Sequence, residues 1–165
     1  MVETDAFRRN SLADEFDVPE EHRYASYEEF FAKPIPADAV FVCTPDNEHF
    51  KPCMAAIEHG YHVLLEKPIA QSYEECLALN NAALEHHVKV CICHVMRYYP
   101  CYVKLKELVT SGELGKVLSI EHLEKVGMDR FLHGYVRGNW NNAQTSNPMF
   151  LAKCCHDVDF LQWLF

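Results

Sequence analysis

The chain has 165 residues, 49% of them hydrophobic and 12% aromatic, which is enough to bury a core in one ordinary domain. Its 15 basic and 24 acidic residues give a net charge of -9 spread along the chain, which disfavours a phosphate backbone as partner and argues against nucleic acid. Met1 to Asp5 lacks a basic stretch followed by an apolar h-region, and no apolar run approaches the ~20 residues of a membrane span, so the expectation is a soluble, cytoplasmic protein without a membrane partner.

Ser26, with Glu29 three residues on, is the first clear structural signal, a capping box that opens a helix. From Asp38 the pattern alternates between strand and helix, which predicts a parallel sheet with crossover helices. Ala39 to Cys43 reads as a buried strand, Thr44 to Asn47 as a turn, and the next segment as a helix to about Glu58 that Gly60 stops. Tyr61 to Leu65 is the second strand. Ser72 and Glu75 form another capping box, for a helix to about His86, and Val88 to Cys93 is the third strand. Pro100 opens a helix ending near Gly112, Val117 to Val126 has strand composition, and Phe131 to Ser146 reads as a polar loop rich in asparagine. Pro148 begins a final helix on which Leu151, Cys154, Cys155, Val158, Leu161 and Phe165 form an apolar stripe. Lys153 and His156, three apart, project from a different face.

Glu66-Lys67-Pro68 follows the second strand and puts a lysine at its carboxyl end, where open α/β sheets handle ligands. Proline at the next position biases Lys67 toward extended backbone, so its side chain leaves the strand tip in a restricted direction. The eight cysteines fall inside apolar runs or on helical patterns rather than at the spacings of a secreted disulfide scaffold, and read as free, buried thiols. Cys91-Ile92-Cys93-His94 and Cys154-Cys155-His156-Asp157 carry zinc-type ligands, but strand alternation turns His94 away from Cys91 and Cys93, so no metal site is expected.

Thr44-Pro45 with His49, then Glu66-Lys67-Pro68, Met96-Arg97-Tyr98-Tyr99-Pro100 and Gly112-Glu113-Leu114-Gly115, in this order, resemble the Gfo/Idh/MocA family of NAD(P)-dependent oxidoreductases. Val136-Arg137-Gly138-Asn139-Trp140 and Ala152-Lys153-Cys154-Cys155-His156-Asp157 resemble one branch of it. The resemblance implies an incomplete Rossmann-like parallel sheet with helices on both faces over residues 1–99, starting from a stub of the family's second strand at Val2. The start of an α+β substrate domain is implied over 100–165. It implies NAD or NADP as cofactor, a small hydroxy compound such as a sugar or polyol as substrate, and allows a homo-oligomer.

By the same resemblance Lys67 and His156 flank the nicotinamide. The family's aspartate four residues before that histidine is replaced here by Ala152, which makes Lys153 the candidate third catalytic group. Thr44, Pro45, Asn47 and His49 line the nicotinamide ribose, and Glu66 and Arg97 lie near the cofactor. Hydride transfer at a carbinol carbon then needs a base near neutral pH, which suits His156, and cations at the developing alkoxide, which suits Lys67 and Lys153.

A dinucleotide site also needs a glycine-rich turn that lets backbone N–H groups approach the pyrophosphate. None of the six glycines, at 60, 112, 115, 127, 134 and 138, forms a pair at G-x-G spacing. Family members are longer, so the expectation is an internal fragment, a mispredicted gene product or a degraded paralogue. Losing two phosphate contacts at ~1.5–3 kcal/mol each weakens cofactor binding by roughly a hundredfold to over ten-thousandfold. In the strand order 3-2-1-4-5-6 the first strand is central, and without it the Ala39 strand has an open edge prone to aggregation or dependent on a partner. Besides a truncated oxidoreductase, two readings stand: a non-catalytic Rossmann-like remnant acting through that edge, and an NAD-dependent glycoside hydrolase like some relatives of this family.

Overall fold

The computed structural model describes residues 1–138, 140–142 and 146–165. Three parallel strands, β1 (Ala39–Val42), β2 (His62–Leu65) and β3 (Val90–Ile92), lie in sequence order, with Val42 opposite Leu65 and Leu65 opposite Ile92. This is a Rossmann-like α/β arrangement, as the sequence predicts. The connections are right for parallel pairing, because each crossover carries a helix: α3 (Phe50–Glu58) between β1 and β2, and α4 (Tyr73–Glu85) between β2 and β3.

Local devices set the helix ends. Ser72 Oγ accepts the Glu75 N–H at 3.2 Å while the Glu75 carboxylate accepts the Gln71 N–H at 3.1 Å. The same reciprocal pair, Ser26 with Glu29 and Glu29 with the Ala25 N–H, opens α2 (Tyr27–Ala32). Gly60 takes φ +81° after α3, a left-handed conformation that glycine adopts without a Cβ penalty. Upstream, α1 (Ala6–Glu15) is capped by Asp5, whose carboxylate accepts the Arg8 N–H at 2.8 Å; the sequence pattern leaves this helix unassigned. Val2 forms a single parallel bridge to Tyr24 and pairs with no strand of the sheet.

The inward face of the sheet carries Val40, Val42, Val63, Leu65, Val90 and Ile92, which join Phe30, Phe31, Cys53, Ala56, Ile57 and Leu79 in the main core. Burying a side chain such as Ile57 or Leu65 contributes ~1.5–3 kcal/mol, so this cluster carries most of the stability. On the other face Ala39, His62 and Cys91 are exposed and Phe41 is 71% exposed. Helices flank the sheet as expected, and β1 forms its edge.

α5 (Pro100–Ser111) starts at Pro100 and ends at Gly112, φ +79°. The segment Val117 to Val126, expected as a strand, forms no ladder, because no strand among the described residues lies beside it to share hydrogen bonds. The stretch expected as a loop from Phe131 is helical at its start: α6 (Met128–Arg130) runs into a π-helical turn, Phe131–Val136. Asn139 and residues 143–145 lie outside the described residues. The final helix is α7 (Met149–Leu164), and its buried residues are Ala152, Asp157, Phe160 and Leu164. Phe160 and Leu164 close a second core with Met96, against Tyr102, Leu105 and Val109 of α5. The expected apolar stripe is therefore not the buried face, and its Val158 and Phe165 are exposed. The cysteines are free, as expected, but Cys43, Cys91 and Cys101 are exposed rather than buried.

Candidate functional site

Strand alternation divides the residues just beyond the three strand ends. Cys43, Glu66 and Cys93 continue the open face in register, while Thr44, Lys67 and His94 continue the covered face. Glu66 and Lys67, adjacent in sequence, thus serve different surroundings. The Glu66 carboxylate accepts the Lys67 backbone N–H at 3.2 Å, and burial together with its charge pushes the Cys43 and Cys93 thiols up.

The Lys67 side chain crosses to α7 and its Nζ donates to the Ala152 carbonyl at 3.1 Å, joining residues 85 apart. With α7 so placed, His156 lies at the carboxyl end of β2. The His156 ring is partly buried with Nδ1 unpartnered, and stands edge-to-face on His94 with centroids 5.7 Å apart and planes at 79°. Burial holds both imidazoles below the usual histidine range. Lys67, His94 and Lys153 add to the effect at His156 and Asp157 opposes it; at His94, Asp159 opposes and Arg97 and Lys67 add. A neutral imidazole that keeps an accepting nitrogen at neutral pH is the form a proton acceptor needs.

Lys153, on the same helix, is paired with Glu124 at 2.6 Å, and the hydrogen bond its ammonium donates to that carboxylate raises it above the ordinary lysine range. The segment expected as a strand thus supplies polar partners to α7: Glu124 to Lys153, and His122 to Asp157 at 2.7 Å. Arg97 is held in a two-pronged pair with Asp159, Nε to Oδ2 at 2.8 Å and Nη2 to Oδ1 at 2.5 Å. Glu124 and Asp159 have no local sequence signal that marks them, and His94 and Asp157 stand out only as metal-type ligands, since each acts through a residue distant in sequence.

The Thr44 turn is built differently. Thr44 Oγ1 donates to the Glu48 carbonyl at 3.0 Å, fixing the 3₁₀ turn Asp46–Glu48, and Asn47 Nδ2 donates to the Glu48 carboxylate at 3.1 Å. Pro45 is exposed beside it. His49 is 1% exposed and lies between two loops, with Nδ1 2.7 Å from the Pro68 carbonyl and Nε2 2.9 Å from the Thr44 carbonyl. It braces the Thr44 turn against the Lys67 segment. Asp46 keeps a buried, unpartnered Oδ2, and its charge reaches Tyr135 and Cys155 across the gap to α7.

The elements therefore bring Lys67, His94, His156 and Lys153 to one place, with the Thr44 turn alongside, and leave Glu66 and Arg97 tied to Cys93 and Asp159. A cleft of about 430 Å³ adjoins this site between α7 and the Pro68–Ala70 segment, lined by Leu151, Cys154, Cys155 and Val158, with His94 and Asp159 in its wall. Four residues of the α7 apolar stripe thus line the cleft, while Leu161 packs against the second core. Among the described residues no group of three or more His, Cys, Asp or Glu side chains could hold a metal ion, and no helix is long and apolar enough to cross a membrane.

The geometry is that of the carboxyl end of a nucleotide-handling α/β sheet with a helix docked over it. Two family models match: residues 1–94 fit the oxidoreductase family's NAD-binding Rossmann fold, and residues 106–165 fit its C-terminal α/β domain. The chain belongs to the Gfo/Idh/MocA oxidoreductase family. It is 32% identical over 127 residues to the 2,7-anhydro-N-acetylneuraminate hydratase of Mediterraneibacter gnavus, covering 77% of this chain and 33% of that one. It is 34% identical over 120 residues to the D-xylose 1-dehydrogenase (NADP(+)) 2 of Haloferax volcanii, covering 73% of this chain and 36% of the relative. A crystal structure of an inositol dehydrogenase homologue from Azotobacter vinelandii, complexed with NADH and myo-inositol, superposes with a TM-score of 0.63 at 28% identity, over 69% of this chain and 31% of that one. The chain thus spans about a third of the length of the relatives it matches.

Proposed function

We propose that the residues at the carboxyl end of β2 and on α7 form the nicotinamide side of a dehydrogenase site for a hydroxyl group of a sugar, polyol or similar small molecule. The observation that carries this reading is the Lys67 Nζ to Ala152 carbonyl bond, which sets an ammonium and a neutral, unpartnered imidazole beside one another at the strand end. The fit to the cofactor is divided. The unpartnered polar atoms of His156, His94 and Asp46 suit a polar ring, amide and ribose, whereas the sequence holds no G-x-G turn to cradle a pyrophosphate. Thr44, Pro45 and Asn47 would hold the ribose and Lys67 and His156 would face the nicotinamide, with His49 as the brace between the two loops.

When bound, the nicotinamide supplies the acceptor or donor of hydride. His156 takes the hydroxyl proton on its free ring nitrogen. Lys67 has two ammonium protons beyond the one given to Ala152, and turns one to the substrate oxygen as negative charge develops there. Lys153, held charged by its ion pair with Glu124, keeps a second cation within the same wall. NAD and NADP serve this chemistry equally, and relatives named for NADP(+) or complexed with NADH support a nicotinamide cofactor without selecting one.

The test is saturation-transfer NMR of the purified chain with NADH, NADPH and nicotinamide mononucleotide, the last lacking the adenylate half. Transfer to the nicotinamide protons at millimolar ligand, lost in Lys67→Ala, supports the reading and justifies a screen of sugars and polyols. Absence of transfer to all three ligands refutes it. The match to a relative named as a hydratase favours a second outcome in that screen: conversion of an anhydro or glycosidic substrate with no net change in NADH.

A further inference from the structure

His94 belongs to none of the candidate catalytic or cofactor-binding positions read from the sequence, yet it makes the closest ring contact to His156. It sits one residue past the hydrogen bond from the Cys93 N–H to the Leu65 carbonyl, so its backbone is anchored to the sheet. Its Nε2 lies 3.6 Å from Asp159 Oδ1, and Asp159 is in turn gripped by the Arg97 guanidinium. The remaining nitrogen, Nδ1, is buried without a partner, as is Nδ1 of His156. The two rings are thus fixed at right angles, one clamped from behind by an ion pair and the other free on its helix. Two imidazoles 5.7 Å apart repel if both are charged, so the pair takes up its protons in two steps that belong to the pair.

Resting on the site proposed above, we infer that His94 is the positioning residue for His156: held by Asp159 and Arg97, it fixes the orientation of the His156 ring and takes the first proton of the pair, leaving His156 neutral. The electrostatics supply the order. His94 has a carboxylate 3.6 Å away, while His156 faces Lys67 from the β2 end, His94 from the turn after β3, and Lys153 on its own helix, with only Asp157 of opposite sign. Arg97 and Lys67 act on His94 in the opposite sense to Asp159, but Asp159 is the largest of the three charge effects there, and His156 has no carboxylate of comparable weight. On acidification a proton from solvent therefore enters at His94, and the basic form of His156 persists to lower pH than it would alone. Such a device keeps a proton acceptor competent without a carboxylate of its own, at a site where Ala152 stands in place of the family's aspartate.

The experiment is an ¹⁵N NMR pH titration of the histidine rings in the whole chain without ligand, with resonances assigned through His94→Asn and His156→Asn. In the wild type, His94 protonates first and the two rings titrate in separate steps, with His156 held in one dominant tautomer. In His94→Asn, His156 protonates at higher pH than in the wild type and its ring nitrogens average between tautomers. Asp159→Asn gives the same upward move of His156 while leaving two rings in place; if that variant fails to fold, the His94→Asn result stands alone. A His156 curve and tautomer unchanged in a folded His94→Asn chain overturn the inference, and so does a wild type in which His156 protonates first. Because no cofactor is present, the result is independent of the nicotinamide titration: coupled rings in a chain that ignores nicotinamide refute the proposed function and leave the positioning role of His94 intact.

Discussion

Removing the His49 ring tests the claim that the two ligand-facing loops are braced as one unit. In His49→Ala the carbonyls of Pro68 and Thr44, 2.7 and 2.9 Å from the ring nitrogens, lose the ring between them, and whichever accepts its N–H is stranded at a position where His49 is 1% exposed. Stranding a buried acceptor costs about 1–3 kcal/mol, and the void left by a truncated buried ring adds to it, for a total of roughly 2–4 kcal/mol. At about 2–4 °C of melting temperature per kcal/mol for a chain of this size, the expected loss is roughly 4–16 °C. Circular dichroism melts at matched concentration, with urea midpoints as a second reading, measure it. The variant should also expose the Lys67–Ala70 amides to faster hydrogen exchange than those of α3, since the brace and not the helix is what is lost. A melting temperature within 2 °C of the parent, or exchange that rises equally in both segments, would refute the brace.

Other outcomes follow from the same geometry. His94 and His156 are held neutral by burial, so their folded pKa values lie below the unfolded one; the unfolded chain binds protons first as pH falls, and stability present above about pH 6.5 is lost on acidification below it. The difference in melting temperature between the parent and the His94→Asn/His156→Asn double variant should therefore change between pH 7.5 and 5.5, and a constant difference would count against it. Cys53 is fully buried, with its thiol pushed up to about 12, so in a native alkylation time course read by peptide mass mapping it should label last, well after exposed Cys91 and Cys101. Gly60→Ala puts a Cβ on a residue at φ +81° and should cost about 1 kcal/mol by urea denaturation; a neutral or stabilising result would mean the turn relaxes out of the left-handed region. Lys153→Met removes the tether to Glu124, an ion pair partly open to water, and should change global stability by less than about 1 kcal/mol while making the 117–126 segment more sensitive to limited proteolysis.

The features legible in the sequence are those enforced within a few residues. Both capping boxes, the glycine stops at Gly60 and Gly112, the proline start of α5 and the three strands were available from spacing alone, because their causes are local. The helix α1 was not: Phe7 and Leu12 are both exposed, only Ala13 is buried, and so no apolar stripe marks it. Val117 to Val126 has strand composition, but a strand is a pairing, and composition does not supply a partner. The stripe on α7 is split: Leu151, Cys154, Cys155 and Val158 line a cleft, Leu161 packs against the second core, and burial against α5 selected Phe160 and Leu164. At the site, Lys67 was marked by its place after a strand and His156 and Lys153 by spacing on a helix and by resemblance. Glu124 and Asp159 carried no signal, and His94 and Asp157 were noticed only as metal-type ligands, because tertiary contact gives each its partner.

The bond from Lys67 to Ala152 also dictates when the site comes into being. Closing a loop of 85 residues costs about 4 kcal/mol of chain entropy, more than one charged hydrogen bond returns, so the contact follows the docking of α7 and does not cause it. The docking energy comes from Met96, Phe160 and Leu164 closing on α5. As the chain leaves the ribosome, the sheet and its helices can assemble while Ala152 is still unsynthesised, with Lys67 extended into solvent. Assembly of the site then waits on α7, and its occupancy reports on a handful of apolar side chains, Met96, Phe160 and Leu164, that touch no ligand-facing group.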